Sequence, residues 1–80
     1  MQYNEYLEEE GINVRDSVCG VVTGGCRSGL FLRLEDGQEA YARFGGIYPG
    51  ARVLCTVIKR ATDRWRVLVS VDSVLEDAAA

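Results

Sequence analysis

The sequence predicts an all-β domain, a small five-stranded closed barrel flanked by short acidic terminal arms. Three observations carry that expectation. Between residues 18 and 71, apolar and polar side chains alternate with a period of two in short runs rich in Val, Leu, Phe and Tyr. Glycine, Asp-Gly and Thr-Asp punctuation separates these runs by distances that suit direct turns. No long run has the 3.6-residue period of an amphipathic helix, which excludes helix-dominated folds. Eighty residues suit one domain. An open sheet of five strands that size would leave long edges unpaired, whereas closure removes them.

Residues 1–13 read as an acidic arm with the signals of a short helix. Asn4 suits a cap, Glu5 and Glu8 suit the positive end of a helix, and Gly11 stops the run. The glutamates of its last turn oppose the helix dipole and limit its stability. The domain body spans 14–71. Its first strand covers 18–23, and Gly24-Gly25 bends or bulges the end of it. The second, 30–34, places Leu30, Leu32 and Leu34 on one face and Phe31 with Arg33 on the other. Asp36-Gly37 is a hairpin turn signal. The third strand, 39–44, sets Ala40, Ala42 and Phe44 opposite Tyr41 and Arg43. Residues 45–50 make a compact loop around Pro49. The fourth strand, 52–59, points Val53, Cys55 and Val57 one way. Thr62-Asp63 turns the chain into the fifth, 65–71, where Trp65, Val67 and Val69 oppose Arg64, Arg66 and Ser70. Residues 72–80 form a tail, either a helical turn or a frayed end.

The net charge of −3 conceals a partition. All nine Lys and Arg lie between Arg15 and Arg66, against five acids in 15–71, so the body carries a surplus of four positive charges. Seven acids occupy the flanks. A basic body suits a polyanion, because each cation that neutralises a phosphate releases a counterion; an ordinary solvated surface is the alternative. Histidine is absent, which removes the commonest general base and metal ligand. Cys19, Cys26 and Cys55 form an odd set without a C-x-x-C pair, which fits reduced thiols in the cytoplasm rather than a disulfide frame or a zinc site. Cys55 fits the core, and Cys19 is the better candidate for an outward thiol. The longest apolar run is three residues, far short of the ~20 a membrane helix needs, and the N-terminus carries acids where a targeting peptide carries bases. The expectation is a soluble, cytoplasmic protein with no membrane partner.

Several stretches share a spacing: Gly20-Val21-Val22-Thr23; Ser28-Gly29-Leu30-Phe31-Leu32-Arg33-Leu34; Gly37-Gln38-Glu39-Ala40-Tyr41-Ala42-Arg43; Pro49-Gly50-Ala51-Arg52-Val53 with Val57; and Arg66-Val67-Leu68-Val69-Ser70. Together, over about residues 15–71, they resemble the ribosomal protein S-one family of RNA-binding domains, which have the oligonucleotide/oligosaccharide-binding (OB) fold. The resemblance implies an OB-type barrel whose ligand crosses strands two and three, with a contribution near the last strand. Of the family's contact positions, the second aromatic falls on Phe31 and the late arginine on Arg66. The first aromatic falls on Ser28, the histidine on Arg43, and the aspartate near Ala61 or Thr62, with Asp63 displaced. Gly25 replaces a usual aliphatic core residue, and the helical turn between strands three and four must shrink to 45–49.

Alternation independently puts Phe31, Arg33, Tyr41 and Arg43 on one outward face of two sequential strands. Bases stack on aromatic rings for ~1–3 kcal/mol each, and arginines hold phosphates or stack as planar cations. The alternative is a Phe31–Tyr41 packing pair covered by the acidic N-terminal segment. Trp65 shares parity with Val67 and Val69, which places it in the core or on the rim; stacking beside Arg64 and Arg66 is the other option. Glu35-Asp36 are adjacent on a turn and point apart, the serines have no histidine to activate them, and no phosphate-binding loop with a lysine is present. The sequence therefore predicts a non-enzymatic module for single-stranded RNA or DNA, without cofactor or metal. Phe31 and Tyr41 would stack bases, while Arg33, Arg43, Arg64 and Arg66 hold phosphates or base edges. A single weak module also suits avidity within a larger protein assembly. The competing class is a protein-interaction module on the same barrel.

Overall fold

In the computed structural model, which describes residues 13–78, five strands follow one another: β1 (Ser17–Cys26), β2 (Gly29–Leu34), β3 (Glu39–Ala42), β4 (Arg52–Lys59) and β5 (Val67–Glu76). They close into a barrel in the order β1-β2-β3-β5-β4. Four of the pairings are antiparallel, and β3 pairs with β5 in parallel. This is a small OB-type barrel, and no helix forms among the described residues. The helix signals of 1–12 fall outside them.

The barrel is filled by one face of each strand. Leu30, Leu32 and Leu34 of β2, Ala40 and Ala42 of β3, Val53, Cys55 and Val57 of β4, and Val67 and Val69 of β5 are all buried, joined by Val22 and Ala51. No polar or charged side chain is buried among the described residues. Each fully buried Val or Leu contributes ~1.5–3 kcal/mol through the water it sheds, which is why the alternation locks the register. The β2–β3 turn closes on Gly37, at φ +93°, where the Leu34 carbonyl accepts from the Gly37 amide at 2.9 Å. Asp36 accepts from the Gln38 backbone and side-chain amides at 3.0 and 2.8 Å. An Asp-Gly pair serves here because the aspartate caps the turn and glycine takes the left-handed backbone without a Cβ clash.

The strand limits differ from the expected ones at three places. β1 runs on to Cys26 through a bulge between Val22 and Gly24, so the glycines bend the strand and do not end it. β3 stops at Ala42, where the Phe44 amide folds back onto the Ala42 carbonyl at 3.0 Å; Phe44 is half exposed instead of sharing the inner face. β5 starts at Val67 and continues to Glu76, so most of the expected tail is strand paired to β4. The β3–β4 connection carries no helix. Ile47 packs from it against the core, and the Gly50 amide returns the chain to β1 by donating to the Val22 carbonyl at 2.7 Å.

Candidate functional site

The outward face of β2 and β3 begins with a register that pairs Phe31 with Tyr41 and Arg33 with Glu39. The two rings lie 5.6 Å apart, tilted at 51°, and both are partly buried. On its other side Tyr41 pairs with Leu68 of β5, so the parallel seam of the barrel runs under this face. The short β1–β2 turn supplies the fixing contacts. Gly29 is buried, and a Cβ there would fall 2.2 Å from the Ala42 carbonyl oxygen and 2.7 Å from the Tyr41 ring. Tyr41 therefore lies directly over a glycine backbone. Its hydroxyl donates to Ser28 Oγ at 2.8 Å, and Ser28 Oγ is 3.4 Å from Cys26 Sγ. Ser28, at the position where the resemblance implies a stacking ring, instead fixes the orientation of the ring that is present. Its hydroxyl and its backbone hold the exposed Cys26 thiol below the ordinary value of 9.0. The exposed thiol is thus Cys26, whereas Cys19 is partly buried.

Around this pair lies an open groove of about 680 Å³. Among the described residues three aromatic side chains line it, Phe31, Tyr41 and Trp65, and three cations, Arg43, Lys59 and Arg66, together with Cys26, Ser28 and Leu68. No carboxylate stands among these lining residues, in a chain whose acids outnumber its bases twelve to nine. Arg66 places its guanidinium carbon 5.0 Å from the Phe31 centroid, a cation–π contact.

Of the residues singled out from the sequence, Phe31, Tyr41, Arg43 and Arg66 meet in the groove. Arg33 does not line the groove; it lies 3.6 Å from Glu39 and lines a smaller depression with Cys19 and Arg52. Arg64 is exposed in the β4–β5 turn and does not line the groove. Trp65 is 70% exposed and belongs to the groove, not the core. Thr62 explains this: its amide donates to the Trp65 carbonyl at 2.9 Å, and its hydroxyl accepts from the Arg64 and Trp65 amides, both at 3.2 Å. That turn swings Trp65 out before strand parity begins at Val67. Lys59, at the end of β4, was not singled out; its pairing with Leu68 brings it to the same groove.

Among the described residues no group of three or more His, Cys, Asp or Glu is placed to hold a metal ion, and no helix is long and apolar enough to cross a membrane. No protein-family model matches the chain, and no curated protein matches it either.

Proposed function

We propose that this protein is a single-stranded nucleic-acid-binding module, RNA being the favoured ligand, which acts without chemistry of its own. One observation carries the reading: among the described residues, a groove on the outer face of β2 and β3 combines three aromatic side chains with three cations and no lining carboxylate. A single strand presents alternating bases and phosphates, and rings flanked by guanidinium and ammonium groups answer both. Phe31, Tyr41 and Trp65 provide stacking surfaces, while Arg43, Lys59 and Arg66 take phosphates or base edges. Arg33 extends the basic track beyond the groove, and Arg64 meets a strand only where it leaves over the β4–β5 turn. The S-one-like spacing of the sequence and the OB-type strand order support the same reading. The three free cysteines suit a reducing compartment such as the cytoplasm. A site this small binds weakly by itself, so the module works best within a larger assembly.

The test is a salt titration with a short oligouridine. Binding should weaken steeply with salt, by about 0.7 in logarithmic slope per phosphate neutralised. Phe31→Ala should cost about 1–3 kcal/mol of binding, the value of one stacked base. Arg43→Ala should lower the slope by one phosphate contact. Absence of binding at low salt would favour the protein-docking class.

A further inference from the structure

Among the described ion pairs, Glu39 is the acid that meets a cation of the groove, and it is shared. Its Oε1 accepts a hydrogen bond from Arg66 Nη2 at 3.1 Å, and its Oε2 lies 3.6 Å from Arg33 Nη2. Arg66 is the residue whose guanidinium rests against Phe31. One carboxylate thus holds one arginine over the aromatic platform and a second arginine beside it. A phosphodiester, with two non-bridging oxygens, is another anion that two guanidinium groups share in this way, one oxygen to each. All three side chains are roughly half exposed, so both ion pairs are screened by solvent and open to exchange.

Building on the nucleic-acid reading, we infer that Glu39 stands in for a ligand phosphate: in the free protein its carboxylate fills the place of one backbone phosphate, and an incoming strand must expel it to reach Arg33 and Arg66. This assigns a phosphate subsite next to the base that stacks on Phe31. It also makes Glu39 a built-in brake. An anion that engages the arginines less well than the carboxylate does not displace it, which favours a polyanion anchored by neighbouring contacts over isolated anions. The expelled carboxylate attracts a cation as the phosphate releases one, so this contact adds little to the salt dependence of the wild-type protein.

The experiment compares oligouridine binding by the wild type, Glu39→Gln and Glu76→Gln over a salt series. Glu76 pairs with Arg52 at 3.9 Å at the far end of β5, so its replacement removes the same charge away from the groove. Glu39→Gln should bind about 3- to 10-fold tighter at low salt, with a slope steeper by about 0.7; Glu76→Gln should change affinity less than about two-fold. Glu39→Gln binding no tighter than Glu76→Gln, while the wild type binds, overturns the inference and leaves the nucleic-acid reading standing. If none of the three binds at low salt, that reading falls and takes the inference with it. The wild type supplies a second measurement that needs no variant: on saturation with oligouridine, the Glu39 carboxyl carbon resonance should move to that of a free carboxylate. A Glu39 resonance that stays in place with the strand bound overturns the inference.

Discussion

The inner and outer faces of β2 and β3 are built from interleaved residues of the same ten positions, yet they follow different rules. Inward, Leu30, Leu32, Leu34, Ala40 and Ala42 are between 0% and 4% exposed and make apolar contacts alone. Outward, Phe31, Arg33, Glu39 and Tyr41 are tied by a tilted ring pair, a cation–π contact from Arg66 and a shared carboxylate. The inner face draws its stability from removal of water and tolerates little change in volume. The outer face holds its side chains by weak, exchangeable contacts, which is the condition a binding surface needs. The two sets of contacts are thereby separated by one step of the pleat, not by distance.

Substitution should break this contrast unevenly. Leu32→Ala opens a cavity in the barrel and should cost about 2–5 kcal/mol in chemical denaturation, whereas Phe31→Ala, one residue away, should cost about 1 kcal/mol or less. Equal losses would mean that the two faces are not energetically distinct. Gly29→Ala tests the point where the faces meet, since its methyl group would collide with the Ala42 carbonyl and the Tyr41 ring. It should lower stability by about 2–3 kcal/mol and disturb the Tyr41–Ser28 hydrogen bond. A melting curve together with the Tyr41 ring resonances reads both effects.

The thiols sharpen the comparison through pH. Burial pushes the Cys55 thiol from 9.0 up to about 11, with the Asp72 and Cys19 charges adding to it. Below pH 9 the thiol is protonated in both folded and unfolded chains, and it makes no difference. Between about 9 and 11 the unfolded chain gives up a proton that the folded chain keeps, so stability should fall as pH rises, by up to about 1.4 kcal/mol per pH unit. Cys55→Ala should remove that part of the alkaline slope, as measured by denaturation at several pH values. The exposed Cys26 thiol, held low by Ser28, is expected to react faster than Cys55 with an alkylating reagent at neutral pH.

The inner face was legible in the sequence because the pleat repeats every two residues and burial punishes a slip. β4 and the β2–β3 hairpin follow that rule closely. Parity fails wherever the chain is not yet, or not regularly, a strand. Trp65 keeps step with Val67 in sequence, but Thr62 holds it in a turn. Residues 72–76 show no clean alternation because two register shifts against β4, between Arg52 and Val53 and between Leu54 and Cys55, change which residues face each other. The groove was half legible: its β2–β3 floor comes from alternation, while Lys59 and Trp65 arrive through the fold of the β4–β5 connection. Glu39 carried no sequence signal for its shared role, since its meeting with Arg66 spans 27 residues of chain.

The parallel pairing of β3 with β5 is short, with Ala40, Tyr41 and Ala42 set against Val67, Leu68 and Val69. It has fewer residue pairs than any other pairing of the barrel, and parallel pairing is slightly less stable per residue, so it is expected to be the first seam to loosen. The groove straddles that seam, with Tyr41 on one side and Leu68 on the other. A ligand held between them, as proposed, is expected to slow the exchange of amide hydrogens along this seam relative to the empty groove.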